Sequence, residues 1–183
     1  ELDVMRPNQK LTQLTARLLT EIGSVTEEVK PDWIIAQGDT TTVLVGALVA
    51  FYEGIKFGHV EAGLRTGNLQ HPFPEEFNRV VSDIVADAYF CPTTRSAENL
   101  RKEDKPESAI HVTGNTVIDA LLYVAEQKYD WSAGSLSALD SSTPIVLITA
   151  HRRESFGDTF RGMCRAIATL AKSYSEIQFV YPV

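Results

Sequence analysis

Leu11, Leu14, Leu18, Ile22, Val25 and Val29 recur at steps of three and four. That spacing predicts an amphipathic helix over about residues 8–30, which Pro31 helps to end. Trp33-Ile34-Ile35-Ala36 is a short apolar run closed by Gly38-Asp39 and reads as a buried strand. A helix rich in small residues follows from Thr40 to Phe51, suited to close packing on a sheet. Ile55 to Val60 reads as the next strand and Glu61 to Pro74 as a long loop punctuated by Gly63, Gly67, Pro72 and Pro74. Phe77, Val80, Val81, Ile84 and Val85 give a second helical stripe. Beyond it, Ala88–Cys91 is a strand, Ser96–Arg101 a short helix, Ala109–Thr113 a strand, and Val117, Ala120, Leu121 and Val124 mark a helix.

The stretch at about residues 130–143 is rich in Ser, Ala and Gly, has weak periodicity, and reads as a connector. Ile145–Thr149 is then a buried strand, His151–Gly157 a polar loop, Phe160 to Tyr174 a helix, and Ile177–Tyr181 a final strand. Strand and helix alternate throughout, which specifies an α/β fold with a parallel sheet and right-handed crossovers. The expected domains are residues 1–129, most of one such layer system, and 144–183, the start of a second, joined by the connector. The chain opens on a helix without an initiator Met and stops after a strand, so a piece of a longer protein is expected.

Composition narrows the function classes. Apolar residues make up 44% of the 183, which argues against a disordered chain. The net charge of -7 disfavours a general nucleic-acid binder, which normally carries a basic face. No apolar run approaches a membrane span and no signal peptide is visible, so no membrane partner is expected. Cys91 and Cys164 stand in no metal or redox spacing, in keeping with a reduced, cytoplasmic protein.

In an open parallel sheet, ligands bind beyond the carboxyl ends of the strands. The polar residues there are Gly38-Asp39-Thr40, then Glu61, Arg65 and Thr66, then Gly114-Asn115-Thr116, then His151-Arg152-Arg153-Glu154. The alternation predicts that all four sets share one rim. Asp39 reads equally as the N-cap of the next helix or as a catalytic acid. Glu61, at the end of an apolar strand, is partly withdrawn from water and so suited to proton transfer; its alternative is an ion pair with Arg65. Glu75 and Glu76 complement a helix N-terminus, and Glu75 can pair with Arg79 four residues on, a structural reading. His151, Arg152 and Arg153 form a phosphate clamp or a surface charge cluster. Gly114-Asn115-Thr116 is a turn before a helix, with anion binding at its amides the less favoured reading. Neither a Walker loop nor a GxGxxG is present.

Five motifs then occur in order: Gln37-Gly38-Asp39-Thr40-Thr41-Thr42, His59-Val60-Glu61-Ala62-Gly63-Leu64-Arg65-Thr66, Pro74-Glu75-Glu76-Phe77-Asn78-Arg79, Thr113-Gly114-Asn115-Thr116-Val117-Ile118-Asp119, and His151-Arg152-Arg153-Glu154 with Phe156-Gly157. Together they resemble the non-hydrolysing bacterial UDP-N-acetylglucosamine 2-epimerases over essentially the whole chain. The resemblance implies a glycosyltransferase-B-like architecture of two Rossmann-like domains, present only in part. It implies interconversion of UDP-N-acetylglucosamine and UDP-N-acetylmannosamine by elimination and re-addition of UDP, with no nicotinamide, metal or other cofactor, in a homodimer. By motif, Asp39, Glu61 and Glu75 are the catalytic carboxylates and His151 the active-site histidine, assigned to the phosphate side. Arg152 and Arg65 are carried over as substrate-binding. Gln37 stands where many members carry His. The family's N-terminal glycine-rich segment and the C-terminal segment with most uridine and diphosphate contacts are absent, so these residues alone are expected to show no turnover. The rival readings are a glycosyltransferase of the same architecture, a hydrolysing epimerase, and a non-catalytic sugar-nucleotide sensor.

Overall fold

A computed structural model describes residues 1–140, 142–150 and 157–182. It divides into two compact units, Glu1–Val124 and Ala125–Val183. The connector expected at 130–143 therefore lies inside the second unit.

The first unit starts with α1 (Leu11–Val29), closed by Lys30 in the left-handed region. Next come β1 (Trp33–Gln37), α2 (Thr41–Glu53), β2 (Lys56–Val60), α3 (Glu75–Val85), β3 (Ala88–Cys91), α4 (Thr94–Lys102), β4 (Ile110–Val112) and α5 (Thr116–Ala125). Each lies within a few residues of its expected position, because periodicity and Gly or Pro boundaries are local signals. The four strands are all parallel, in the order β1-β2-β3-β4. Leu14 and Leu18 of α1 bury against Val45 and Val49 of α2. Each such side chain stabilises by roughly 1.5–3 kcal/mol on leaving water. On its other side, α2 packs Val43, Ala47 and Ala50 with Phe57 of β2. Its small residues let it lie close to the sheet, and Gly54 in the left-handed region ends it. Ala97 and Leu100 of α4 close over Tyr89, Cys91 and Ile110. Burial pushes the Cys91 thiol up to about 11, so it stays protonated and inert.

Sequential strand order with right-handed crossovers sets α2, α3 and α4 on one face of the sheet. The other face carries Trp33, Ile35, Gly58 and Phe90, where a Cβ on Gly58 would meet those three side chains. No helix covers it among the described residues, and Ile35 is 64% exposed. The expectation of β1 as a buried strand is thus corrected: Ile34 and Ala36 are half-buried on one face, and Trp33, Ile35 and Gln37 are exposed on the other. The apolar side chains of α5 are also exposed.

In the second unit, β5 (Ile145–Leu147) pairs in parallel with β6 (Gln178–Val180), linked through α6 (Asp158–Ser173). β5 is exposed rather than buried, since only one strand flanks it. It belongs to a separate sheet; the groups after β1, β2 and β4 follow strands of one parallel sheet and so share its rim, and the group after β5 lies outside the described residues. Among the described residues no helix is long and apolar enough to cross a membrane.

Candidate active site

The carboxyl end of β1 turns through Gly38 at φ +87, whose N–H donates to the Val60 carbonyl at 3.0 Å. That bond locks the ends of β1 and β2 together. Asp39 follows, but the N-cap of α2 is Thr40, so the capping reading of Asp39 is corrected. The Asp39 carboxylate instead pairs with Arg79 of α3, and its backbone carbonyl accepts the Asn78 amide at 2.8 Å. Arg79 also reaches Glu76 at 3.4 Å, rather than forming the expected pair with Glu75. Two consecutive polar residues of α3 therefore fasten the Asp39 turn.

Glu61 leaves β2 at φ +70, a left-handed conformation that costs a residue with a side chain on the order of 1–2 kcal/mol. The neighbouring strand holds it there, since Glu61 and Ala62 both donate N–H to the Phe90 carbonyl, at 3.0 and 3.2 Å. The Glu61 carboxylate accepts the Gln37 amide at 3.1 Å. A Cβ placed on Gly38 would lie 3.8 Å from Glu61 Oε2, so the two acid-bearing turns adjoin. The alternative ion pair of Glu61 with Arg65 is absent. Arg65 donates to both Glu103 oxygens at 2.7 Å, to the Leu64 carbonyl at 2.8 Å, and lies 2.8 Å from Asp83. With its side chain 11% exposed, Arg65 is committed within the protein.

Glu75 opens α3, half-buried, and has no hydrogen-bond or ion-pair partner among the described residues. Glu76 is the opposite case. It is 1% exposed, and its Oε1 accepts the N–H groups of Thr66 and Gly67 at 2.8 and 2.9 Å. It thereby pins the long loop against α3.

Beneath both turns lies His59, fully buried on β2. Its Nδ1 is 2.5 Å from Asp83 Oδ1 and its Nε2 is 2.8 Å from the Gly38 carbonyl. The second Asp83 oxygen accepts the Gly63 N–H at 3.0 Å and faces Arg65. Burial by itself lowers the His59 pKa, but the bond and charge of Asp83 and the Gly38 carbonyl outweigh it and raise the value above the ordinary one. Burial likewise works to raise Asp83, and the His59 and Arg65 contacts hold it below the usual carboxylate range.

The fully buried residues of α3 are polar, namely Glu76, Asn78, Ser82 and Asp83; of its apolar stripe, Phe77 and Ile84 are 44% and 63% exposed, while Val80, Val81 and Val85 are half-buried. Sequence reasoning missed Glu76, Asn78, Arg79, Asp83 and His59 as site residues. A signal existed, because 76, 79 and 83 follow the i, i+3, i+7 spacing of one helix face. Asn115 accepts the Val117 N–H at 3.2 Å, in keeping with the turn reading of Gly114-Asn115-Thr116. His151, Arg152, Arg153 and Glu154 lie outside the described residues. An open groove of about 580 Å³ runs between α1 and the start of α3, bordered by Leu44, Phe73 and Phe77. Its walls are mostly apolar, with Thr41, Gln70 and Asn78 among their polar residues, and through Asn78 it adjoins the polar rim that carries the candidate acids.

A parallel sheet with acid-bearing turns at its carboxyl ends defines an α/β domain built to hold a ligand at one rim. The sequence model of the UDP-N-acetylglucosamine 2-epimerase family matches residues 1–183. The chain belongs to that family. It is 48% identical to the UDP-N-acetylglucosamine 2-epimerase of Yersinia pestis, over 100% of this chain and 50% of that protein. The crystal structure of the Neisseria meningitidis UDP-GlcNAc 2-epimerase, bound to UDP-GlcNAc, superposes with a TM-score of 0.88 at 39% identity. It covers 98% of this chain and 50% of that one. A structure from Listeria monocytogenes, described as a UDP-N-acetylglucosamine 2-epimerase, gives 0.90 at 40% identity over 99% of this chain and 47% of its own. The chain thus spans about half the length of these relatives, and its fold is their Rossmann-like architecture, present in part.

Proposed function

We propose that the protein carrying this chain interconverts UDP-N-acetylglucosamine and UDP-N-acetylmannosamine. A carboxylate removes the C2 proton, the C1–O bond breaks, and UDP departs with the bonding electrons to leave 2-acetamidoglucal. A proton then returns to C2 on the opposite face as a UDP oxygen re-forms the bond at C1. Two faces need acid/base groups on two sides of the ring, a task for Asp39, Glu61 and Glu75. His151 and Arg152 are assigned by motif to the departing diphosphate, whose growing charge needs donors. Arg65 is assigned to holding the Glu61 turn, since its donors are already engaged. The reaction requires no cofactor, and a homodimer is the proposed assembly.

The observation that carries this reading is that the Asp39 and Glu61 turns adjoin and that the first turn of α3, bearing Glu75, fastens onto Asp39. The test is product analysis of the full-length protein with UDP-N-acetylglucosamine in deuterium oxide. UDP-N-acetylmannosamine with deuterium at C2 is expected. Free sugar plus UDP would establish a hydrolysing epimerase, an acceptor-linked sugar a transferase, and unchanged substrate a binding protein.

A further inference from the structure

We infer that His59 and Asp83 are a positioning pair: one buried imidazole, bonded at both nitrogens, sets the turn that carries Asp39 relative to the turn that carries Glu61. The inference rests on the proposed reading of those two acids as the reacting groups.

Both ring nitrogens of His59 face acceptors, a carboxylate oxygen at 2.5 Å and a carbonyl oxygen at 2.8 Å. A neutral imidazole has one N–H and one lone pair, and a lone pair aimed at either acceptor is repelled. The geometry therefore selects the doubly protonated ring. Its charge is balanced locally by Asp83 of α3. Asp83 faces Arg65 of the loop, and Arg65 faces Glu103 after α4. The raised pKa of His59 agrees with this state.

The two ends of the pair reach the two acid-bearing turns. The carbonyl that His59 holds belongs to the peptide joining Gly38 to Asp39, so the bond fixes the plane from which Asp39 projects. The other Asp83 oxygen holds the N–H of Gly63, two residues after Glu61 with its left-handed backbone. A single rigid link thus spans Gly38, β2, α3 and Gly63. Packing alone does not explain it, because an apolar side chain of similar volume is often as stabilising as a buried ion pair.

The test uses the full-length protein and two substitutions that each keep one end of the link. The Gln of His59→Gln carries an N–H to where Nε2 sat and keeps the Gly38 carbonyl; the Asn of His59→Asn keeps Asp83 and releases Gly38. His59→Asn is expected to lose roughly 100-fold in kcat with KM little changed, the scale on which small misplacements act, and His59→Gln less than about 10-fold. The Gly38 N–H bonds the Val60 carbonyl in the same turn whose carbonyl His59 holds, so releasing that carbonyl loosens the turn, and exchange of the Gly38 amide is expected to speed by about 10-fold or more in His59→Asn relative to His59→Gln. Asp83→Asn can still accept from Gly63 and donate to a neutral His59 that keeps its N–H on Gly38. It should lower the melting temperature while holding kcat within about 10-fold. Equal kcat losses in the two His59 variants, matched Gly38 exchange, or a roughly 100-fold kcat loss in Asp83→Asn would overturn the positioning role. Should His59→Asn not fold, Asp83→Asn decides alone. Gly38 exchange reads the link whatever reaction the site performs, while the unsubstituted protein's own products judge the functional reading.

Discussion

Gly63 and Arg79 show how much of the site depends on single side chains. Gly63 sits at φ +79, and a Cβ added there would lie 2.3 Å from the Ser96 carbonyl oxygen, which is backbone and cannot swing aside. Gly63→Ala should cost about 2–3 kcal/mol in urea unfolding, as overpacking and positive φ add. A change below about 0.5 kcal/mol would show that α4 yields freely. Arg79 is the cation shared by Asp39 and buried Glu76. Arg79→Ala leaves Glu76 uncompensated and should destabilise by about 3 kcal/mol, and Arg79→Lys, lacking the planar fork, should rescue it only in part. At the acids themselves, Asp39→Asn and Glu61→Gln should each lower turnover of the full-length protein by roughly 100-fold or more, the size of one acid/base contribution. Full activity in either would remove that side chain from the reaction.

At the scale of the element, α3 carries the most information. Its apolar residues suggest one buried stripe, yet the face turned toward β2 and the loop is Glu76, Arg79 and Asp83. Each finds a partner from another element, which is what makes an inward polar face tolerable. The usual order of sensitivities should therefore be reversed. Ile84→Ser, at an exposed position, should change unfolding free energy by no more than about 0.5 kcal/mol. Asp83→Ala, which strands His59 and Arg65, should cost about 3–5 kcal/mol. The reverse ranking would mean that the apolar stripe, not the polar one, holds α3 down. β1 shows the same principle in milder form, since which of its faces is covered depends on where the crossover helices lie.

For the molecule as a whole, the His59–Asp83 pair couples folding to pH. His59 is raised above its ordinary 6.5, so its contribution is complete below that value and is lost as pH rises through the folded value. Asp83 is lowered below its ordinary 3.8, so its contribution is present above that value and lost as pH falls through the folded one. The charges facing the pair are Arg65 and, behind it, Glu103. Stability from this source is therefore greatest between 3.8 and 6.5. The free energy of unfolding should fall as pH rises above 6.5, by up to about 1.4 kcal/mol per pH unit, and His59→Gln should flatten that fall. An identical decline in the variant would assign the effect to other groups.

The order of strands and helices, their boundaries to within a few residues, and the family were all legible along the chain, because periodicity, turn residues and motif order are local properties. Asp39 and Glu61 were legible as candidates for the same reason, since they follow strands, whereas Glu75, read by itself as a structural acid at a helix start, became one only through the order of motifs. Their partners were not legible. Arg79 crosses forty positions to Asp39, and His59 reaches Gly38 on one strand and Asp83 on a helix. A side chain's partner, and whether a helix turns its polar or its apolar face inward, are set by what the fold brings opposite it. Only the tertiary structure decides that, because burying a charge becomes affordable when its counter-charge is delivered from elsewhere in the chain.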